Sequence, residues 1–335
     1  MTYHKPNVPS KHFPAFLETI PTLNGKTFVI TGTTSGTGRA AADALVRKGA
    51  RVLMLNRDSA RADRVQLELS EAHPHAEIST ILCDLQSFDS VRVAAEEIRS
   101  RCSEGIYALL NNAGIMAMPD EATVDGFDSQ MQTNHLSHFL LSAELFPLLK
   151  KGVDLHGESR IVNHSSIARL SVKRLEAKYL ERRGGQLGGN GASMLLSGGR
   201  WVRYGQTKLA NAAFTAALHK RLQERGSKIK ALVAHPGFAN TELQVTTNRH
   251  GGMSGASSIV ARLISQSAED GALGLISCAT LPEAQSGDFY GPGKGLMATR
   301  GPARPFSLEK RYNNDETIEL LWTKSCEAIG RDFDI

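Results

Sequence analysis

Short apolar runs alternate with longer stretches of helical periodicity along most of the chain, starting at Lys26. The apolar runs predict strands over 27–30, 51–55, 77–82, 106–110, 160–164 and 229–234, with a short last strand over 288–290. The stretches between them predict helices over 40–48, 60–72, 90–101, 127–150, 204–225, 270–280 and 315–329. Near-continuous apolar strands that alternate with helices are typical of a parallel sheet covered on both faces. We therefore predict an α/β protein with a single doubly wound parallel sheet, a Rossmann fold.

The same pattern predicts one domain preceded by an arm. Residues 1–23 contain several prolines and no long apolar run, so we expect an arm on the domain surface rather than a secretory signal. Residues 24–335 form the domain, with an insertion over 167–203 and a substrate loop and helix over 241–266. The pair Gly251-Gly252 suits a flap that closes on binding.

Composition narrows the class of protein. The 335 residues include four cysteines without a C-x-x-C spacing, which favours a reducing, cytoplasmic location over a disulfide framework. The net charge of +5 is too mild to indicate a nucleic-acid partner, and we expect none. No apolar run is long enough for a transmembrane segment. We expect a monomer or homodimer that acts on a small molecule.

A glycine-rich turn follows the first predicted strand, with the sequence TGTTSGTG over 31–38. Gly32, Gly36 and Gly38 let the chain turn tightly and approach phosphate oxygens without a Cβ clash. The free N–H groups of the following helix would face a pyrophosphate. The position between strand and helix therefore predicts a dinucleotide site, and a tight turn without a ligand is the alternative.

The residues after the second strand bear on the choice of cofactor. An acidic residue there would hold a ribose 2′-hydroxyl, whereas a basic residue accommodates a 2′-phosphate. This chain has Leu55-Asn56-Arg57 at that point, and the planar Arg57 side chain suits a phosphate. We expect NADP(H) as the cofactor; an ordinary solvated arginine is the alternative.

Tyr204 and Lys208 form a Y-x-x-x-K pair at the start of a predicted helix, where residues four apart share one face. A nearby ammonium favours the phenolate and is expected to lower the tyrosine pKa toward the working pH. Tyr290 and Lys294 repeat the spacing, but the Gly-Pro-Gly between them does not suit a helix.

Two further groups of polar residues invite interpretation. Ser165 and Ser166 end the fifth strand, at the edge where parallel sheets bind ligands, and a hydroxyl there stabilises developing oxyanion charge. A turn or helix cap is the alternative for such a pair. His135 and His138 are spaced like metal ligands, but no third ligand is evident, so we expect helix-packing or surface histidines and no metal.

Taken together, these residues resemble the short-chain dehydrogenase/reductase family from Lys26 to about Pro292. The motifs that carry this resemblance are TGTTSGTG (31–38), CDL (83–85), NNAG (111–114), TNHLSHF (133–139), VNHSS (162–166), YGQTK (204–208) and HPGFANT (235–241). The sequences of several of these motifs are most similar to those of the branch that contains retinol dehydrogenases and light-dependent protochlorophyllide reductases.

The resemblance implies a catalytic set in which Tyr204 exchanges the proton, Lys208 lowers its pKa and binds the nicotinamide ribose, Ser166 orients the carbonyl and Asn134 holds a relay water. It also implies a cofactor-binding set, which with the turn and Arg57 comprises Gly32, Thr34, Ser35, Gly36, Thr37, Gly38, Arg57, Asp84, Leu85, Asn111, Ala113, Gly114, Tyr204, Lys208, Pro236, Gly237 and Thr241.

One departure from the family pattern is the distance between Ser166 and Tyr204, which are 38 positions apart where most members have about a dozen residues. The extra stretch, 167–203, carries eight basic residues against two acidic ones. A lid over a large or acidic substrate, a membrane-surface contact and a solvated insertion that blocks a dimer face all remain open, although charge runs are most often solvated. We expect a lid or a surface insertion.

The function that these observations favour is an NADP(H)-dependent oxidoreductase that moves a hydride between nicotinamide and a carbonyl or alcohol, most simply a ketone or aldehyde reductase. A catalytically silent NADP-binding sensor or scaffold is one alternative. An epimerase or dehydratase on the same fold is the other.

Overall fold

The computed structural model describes residues 8–190, 198–239, 247, 265–294 and 299–335. One sheet contains the strands β1 (Thr27–Thr31), β2 (Arg51–Asn56), β3 (Ile78–Leu82), β4 (Ala108–Asn111), β5 (Ser159–His164), β6 (Ile229–Ala234), β7 (Phe289–Lys294) and β8 (Arg300–Phe306). Their order across the sheet is β3-β2-β1-β4-β5-β6-β7-β8. Strands β1 to β7 pair in parallel, and β8 pairs antiparallel with β7. The predicted doubly wound α/β sheet is confirmed.

The helices within the described residues are α1 (Phe13–Thr19), α2 (Gly36–Arg47), α3 (Ser59–Ala72), α4 (Phe88–Arg101), α5 (Ser129–Met131), α6 (Ser137–His156), α7 (Gly199–Glu224), α8 (Ala268–Thr280) and α9 (Asp315–Ile329). A π-helical segment, Gln132–Leu136, joins α5 to α6, and two short 3₁₀ turns follow β5 at Ile167–Ser171 and Ala177–Tyr179. Among the described helices, none combines the length and the hydropathy needed to cross a bilayer.

Alternating side chains of the strands fill two hydrophobic cores, one on each face of the sheet. On β1, Val29 faces the core that helices α4, α6, α7 and α9 cover. Its neighbours Phe28 and Ile30 face the core that α1, α2, α3 and α8 cover. All five residues of β1 are buried, because a central parallel strand has no face toward water.

Residues 8–23, within the predicted N-terminal arm, pack onto the domain through a short helix and buried apolar side chains. Phe13, Leu17, Ile20 and Leu23 are buried and belong to the second core. The Asp270 carboxylate at the start of α8 accepts hydrogen bonds from the backbone N–H groups at the start of α1 and from the Ser10 hydroxyl. Helix α1 is therefore held by its own apolar face and by one carboxylate at its N-terminus.

The insertion predicted over 167–203 is described except for 191–197. It packs against the loop that follows β4, since Gly184 N–H donates to Gly126 O at 2.9 Å and Asp120 N–H donates to Asn190 Oδ1 at 2.7 Å. Three of its eight basic side chains, Arg169, Arg200 and Arg203, are buried, so the expectation of a solvated charge run does not hold for them. A role as a lid remains a prediction.

Candidate active site

The glycine-rich turn lies between β1 and α2, and close backbone contacts require its glycines. A Cβ on Gly38 would lie 2.2 Å from Gly32 O and 2.4 Å from Asn112 Nδ2. Gly32 itself has a φ of +72°, in the left-handed region that favours glycine. Helix α2 begins at Gly36, so the N–H groups of its first turn have no partner within the helix, and Gly36 and Thr37 of this turn line the cleft.

Two asparagines fix the shape of this turn. Asn56 at the end of β2 accepts from Thr33 N–H and donates to the Thr33 hydroxyl, both at 2.8 Å. Asn112 donates to Thr31 O at 2.9 Å and to Gly32 O at 3.2 Å, and its Oδ1 accepts from the Thr37 hydroxyl at 3.0 Å. Asn112 therefore ties the turn to β4 through both ends of its amide.

A cleft of about 390 Å³ runs along the carboxyl ends of β1, β2, β4, β5 and β6, where open parallel sheets bind ligands. Its lining includes the following residues of the predicted sites: Gly32, Thr34, Ser35, Gly36, Thr37, Arg57, Asp84, Leu85, Ala113, Gly114, Ser166, Tyr204, Lys208, Pro236 and Gly237. The structure thus brings most of the predicted cofactor-binding residues and three of the four predicted catalytic residues to one cleft.

Three of the described site residues, Gly38, Asn111 and Asn134, do not line this cleft. Asn111 is buried behind its wall and donates to Ser142 Oγ and Asn163 Oδ1, so the expectation that it lines the cofactor floor is not met. Gly38 packs beneath the turn, and Asn134 lies behind Gly114. Thr241 lies outside the described residues, as does most of the predicted substrate loop over 241–266.

Tyr204 and Lys208 lie on one face of α7, with Lys208 Nζ 5.7 Å from the centre of the Tyr204 ring. Both side chains are buried. Burial raises the pKa of Tyr204 to about 12, while a hydrogen bond with Ser166 acts in the opposite direction. Burial also lowers the pKa of Lys208 to about 8. The expected lowering of the tyrosine pKa by the ammonium is therefore not seen, because desolvation of the phenolate dominates.

The two serines at the end of β5 differ in their contacts. The Ser165 hydroxyl donates to the backbone oxygen of Lys208 at 2.7 Å. Ser166 instead caps the turn that follows, accepting from Ala168 N–H at 3.2 Å, and also bonds to Tyr204. Ser166 is thus the serine whose hydroxyl meets the tyrosine hydroxyl.

Asn134 connects three segments around the site. Its Nδ2 donates to Ile115 O and to the Thr207 hydroxyl, both at 2.9 Å, and its Oδ1 accepts from Ile115 N–H at 2.8 Å. A Cβ on Gly114 would lie 3.1 Å from Asn134 Oδ1 and 3.4 Å from Lys208 Nζ. Asn134 is close to Lys208, but its amide is engaged with protein groups; a water held there stays a prediction.

Asn112, within the segment 111–114 that was expected to line the cofactor floor, lines the cleft, whereas the lining residues His164 and Trp201 were given no role from the sequence. His164 Nδ1 contacts Asn112 Oδ1 at 2.9 Å, and its Nε2 is buried without a hydrogen-bond partner among the described residues. Because Asn112 Oδ1 is an acceptor, Nδ1 carries the hydrogen and Nε2 is a free acceptor. Burial lowers the pKa of His164 to about 3, which keeps it neutral.

The histidines that are spaced like metal ligands have structural partners. His135 Nε2 contacts Ser325 Oγ at 2.8 Å. His138 Nε2 contacts Thr31 Oγ1 at 2.9 Å, on the hydroxyl that accepts from Asn112 N–H. Across the described ranges, no three His, Cys, Asp or Glu side chains are grouped as a metal site.

Comparison with known proteins identifies relatives of this chain. Residues 26–179 match the family model described as short chain dehydrogenase. The chain is 31% identical to mouse retinol dehydrogenase 12 over 313 residues, which cover 92% of this chain and 87% of the relative. It is 37% identical to an uncharacterised oxidoreductase of Schizosaccharomyces pombe over 226 residues, 67% of this chain and 63% of the relative.

A solved structure is also similar over nearly the whole length. An uncharacterised protein from Mycobacterium paratuberculosis has a TM-score of 0.72 and 30% sequence identity, and the match covers 95% of this chain and 98% of that one. The fold is therefore shared with a crystal structure over nearly its whole length.

A Rossmann sheet whose cleft is lined by a glycine turn, a buried tyrosine and lysine, and a half-buried serine is typical of an oxidoreductase that binds a nicotinamide cofactor. The chain belongs to the short-chain dehydrogenase/reductase family, in its retinol dehydrogenase-like branch.

Proposed function

We propose that this protein is an NADP(H)-dependent reductase of ketones or aldehydes in which Tyr204 donates the proton. One observation carries the proposal: Ser166, Tyr204 and Lys208 line the same cleft as the glycine turn. A nicotinamide cofactor bound along the turn would supply the hydride. The chain's own residues would then bind and orient the carbonyl and move the proton.

The reductive direction is inferred from the expected preference for NADPH, and the protonation state of the site supports it. With a pKa near 12, Tyr204 carries its proton at neutral pH and is ready to donate it to a developing alkoxide. The Ser166 hydroxyl meets the same phenol and is placed to donate a hydrogen bond to a carbonyl oxygen there. Lys208 is anchored by donating to His164 O at 3.0 Å, close to the tyrosine that it would assist.

Tyr204→Phe tests this proton transfer. We expect kcat for NADPH-dependent reduction of a panel of aldehydes and ketones to fall by about 10²- to 10⁴-fold, because the phenol is the proton donor. Loss of NADPH absorbance measures the rate. The affinity for NADPH, measured by its fluorescence, should stay the same, since the ring remains in place.

The other outcomes of that assay distinguish the alternatives. A Tyr204→Phe protein as active as the parent would sink the proposed mechanism. If the parent binds NADPH but reduces no carbonyl, a sensor or scaffold is favoured. An epimerase would convert its substrate without a net change in NADPH.

The preference for NADP(H) rests on the end of β2. Arg57 and Arg61 both line the cleft there. Asn56 occupies the last position of the strand, and its amide is engaged with Thr33. The neighbouring Asp58 carboxylate caps α3 by accepting from Arg61 N–H at 3.0 Å. The two guanidinium groups are suited to binding a 2′-phosphate. The Asp58 carboxylate already caps α3, so it is not available to accept a hydrogen bond from a free 2′-hydroxyl.

Arg57→Ala is expected to weaken NADPH binding by about tenfold or more, a loss typical of one charge-assisted hydrogen bond. NADH binding should change little, so the ratio of the two dissociation constants reports the effect. Arg64→Ala, in helix α3, which follows Arg57, but outside the cleft lining, is the matched control. An unchanged preference for NADPH in Arg57→Ala and in the double variant with Arg61→Ala would remove this assignment.

A further inference from the structure

Arg203, the residue before the catalytic tyrosine, is a buried cation. It forms an ion pair with Asp128, with Nη1 2.5 Å from Oδ2 and 1% of each side chain exposed. The two partners belong to different elements: Arg203 lies in α7, and Asp128 immediately precedes α5.

The other nitrogens of the guanidinium bind two more segments. Nη2 donates to Met118 O at 2.8 Å, in the loop after β4. Nε donates to Gly188 O at 3.1 Å, in the described part of the insertion. One side chain therefore joins the helix that carries Tyr204 to three surrounding segments, and the planar fork of arginine suits this geometry.

The partner carboxylate is also used twice. Asp128 Oδ1 accepts from Met131 N–H at 2.9 Å and so caps α5, which continues into the π-helical segment that carries Asn134. Thr207, one helical turn after Arg203, accepts from Asn134 Nδ2 at 2.9 Å. Two links thus join the same pair of elements, and Tyr204 lies between their two positions on α7.

A buried ion pair is a poor source of stability, because desolvation of both charges offsets their attraction. The ion pair does, however, hold its two side chains in a defined geometry, which an apolar pair at the same positions would not. We propose that Arg203 and Asp128 are positioning residues that fix the first turns of α7 against the α5 and π-helical segment, and so hold the Tyr204 hydroxyl in place for proton transfer. This inference rests on the proposed reductase function.

The test is a double-mutant cycle of Asp128→Asn, Arg203→Met and both together. Asn at 128 retains an oxygen that caps Met131, and the double variant leaves no unpaired buried charge. We expect kcat to fall by about 10- to 100-fold in all three variants, since small misplacements of reacting groups have effects of this size. The Kd for NADPH should stay the same, and the Tm of the double variant should return toward that of the parent.

If the double variant recovers kcat together with Tm, the pair is only structural and the proposal fails. Arg160→Met is the control, because Arg160 is equally buried and ion-paired, with Glu158 at the opposite end of β5 from Ser166. It should lower Tm without changing kcat below the transition. A comparable loss of kcat in this control would attribute the effect to general destabilisation.

Arg203→Lys covers the case in which the neutral variants do not fold. It keeps the charge but replaces the fork by one ammonium, so we expect a folded protein with a reduced kcat; a full parental kcat would overturn the proposal. If the parent reduces no carbonyl, the proposed function fails on its own. In that case, crystal structures of the parent and of Arg203→Lys test the positioning role. A Tyr204 Oη that is displaced from Ser166 Oγ in the variant supports the proposal, and a Tyr204 Oη in the parental position overturns it.

Discussion

The adjacent residues Asn111 and Asn112 show how much of the site depends on the direction of single side chains. Both belong to the same motif, and successive side chains at a strand end point to opposite faces. Asn111 points to the α6 side, where it donates to Ser142, and Asn112 points to the glycine turn. The motif located the segment correctly, but the alternation of strand β4 decides which asparagine faces the cleft.

Asn112→Ala is therefore expected to weaken NADPH binding by about tenfold or more and to lower the free energy of unfolding by about 1–3 kcal/mol, since its buried hydrogen-bond partners lose their contacts. Fluorescence titration and urea unfolding measure the two effects. Asn111→Ala is the matched control: it should lose stability to a similar extent and keep its affinity for NADPH. Equal losses of affinity in both variants would contradict the assignment of Asn112 to the cofactor turn.

At the scale of elements, the apolar runs predicted β1 to β7, because central parallel strands are buried on both faces. Strand β8 escaped prediction. Its sequence RGPARPF contains two prolines and two arginines, and it is a strand only through antiparallel pairing with β7. Prolines are tolerated there because β8 lies at the edge of the sheet.

Helix boundaries depended on information that periodicity does not contain. The predicted helix over 127–150 is interrupted by the π-helical segment Gln132–Leu136, whose Asn134 bonds to Ile115 and Thr207. Helix α7 starts at Gly199, five residues before the predicted start at Tyr204, because the insertion folds against its first turn. Tertiary contacts, not local pattern, set both boundaries.

The charges of the insertion illustrate the same limit. Arg169 pairs with Glu309 and Arg203 with Asp128, partners that are 140 and 75 positions away along the chain. A count of charges within 167–203 does not include these acids, so it predicts an exposed basic surface. Folding instead neutralises two of the arginines internally, next to the segment that carries Tyr204.

At the scale of the whole molecule, four histidines of the described residues are buried around the sheet: His135, His138, His164 and His235. Burial lowers the pKa of His138 to about 4 and that of each of the other three to about 3, against 6.5 for an unperturbed histidine. All four are neutral in the folded protein at physiological pH. As the pH falls, each of these histidines would take up a proton at a higher pH in the unfolded chain than in the folded protein.

The sign of the resulting pH dependence is fixed by this difference. Their contribution to stability is complete above the unfolded pKa of about 6.5 and is lost as pH falls from there toward 4 to 3, because the unfolded state binds more protons. Each histidine contributes a slope of about 1.4 kcal/mol per pH unit within that window. We expect the free energy of unfolding, measured in urea, to fall steeply between about pH 6 and pH 5.

Replacing one of the four isolates its share. His135 lies among aromatic rings, 5.8 Å from Phe214 and 6.1 Å from Phe139 between ring centres, so His135→Phe keeps an aromatic ring at this position. The slope of unfolding free energy against pH should decrease by the contribution of one histidine, about 1.4 kcal/mol per pH unit. His75→Gln, at an exposed position, should leave it unchanged. A His135→Phe protein with the parental slope would mean that this histidine does not couple folding to protonation, and that the acid sensitivity arises from other groups.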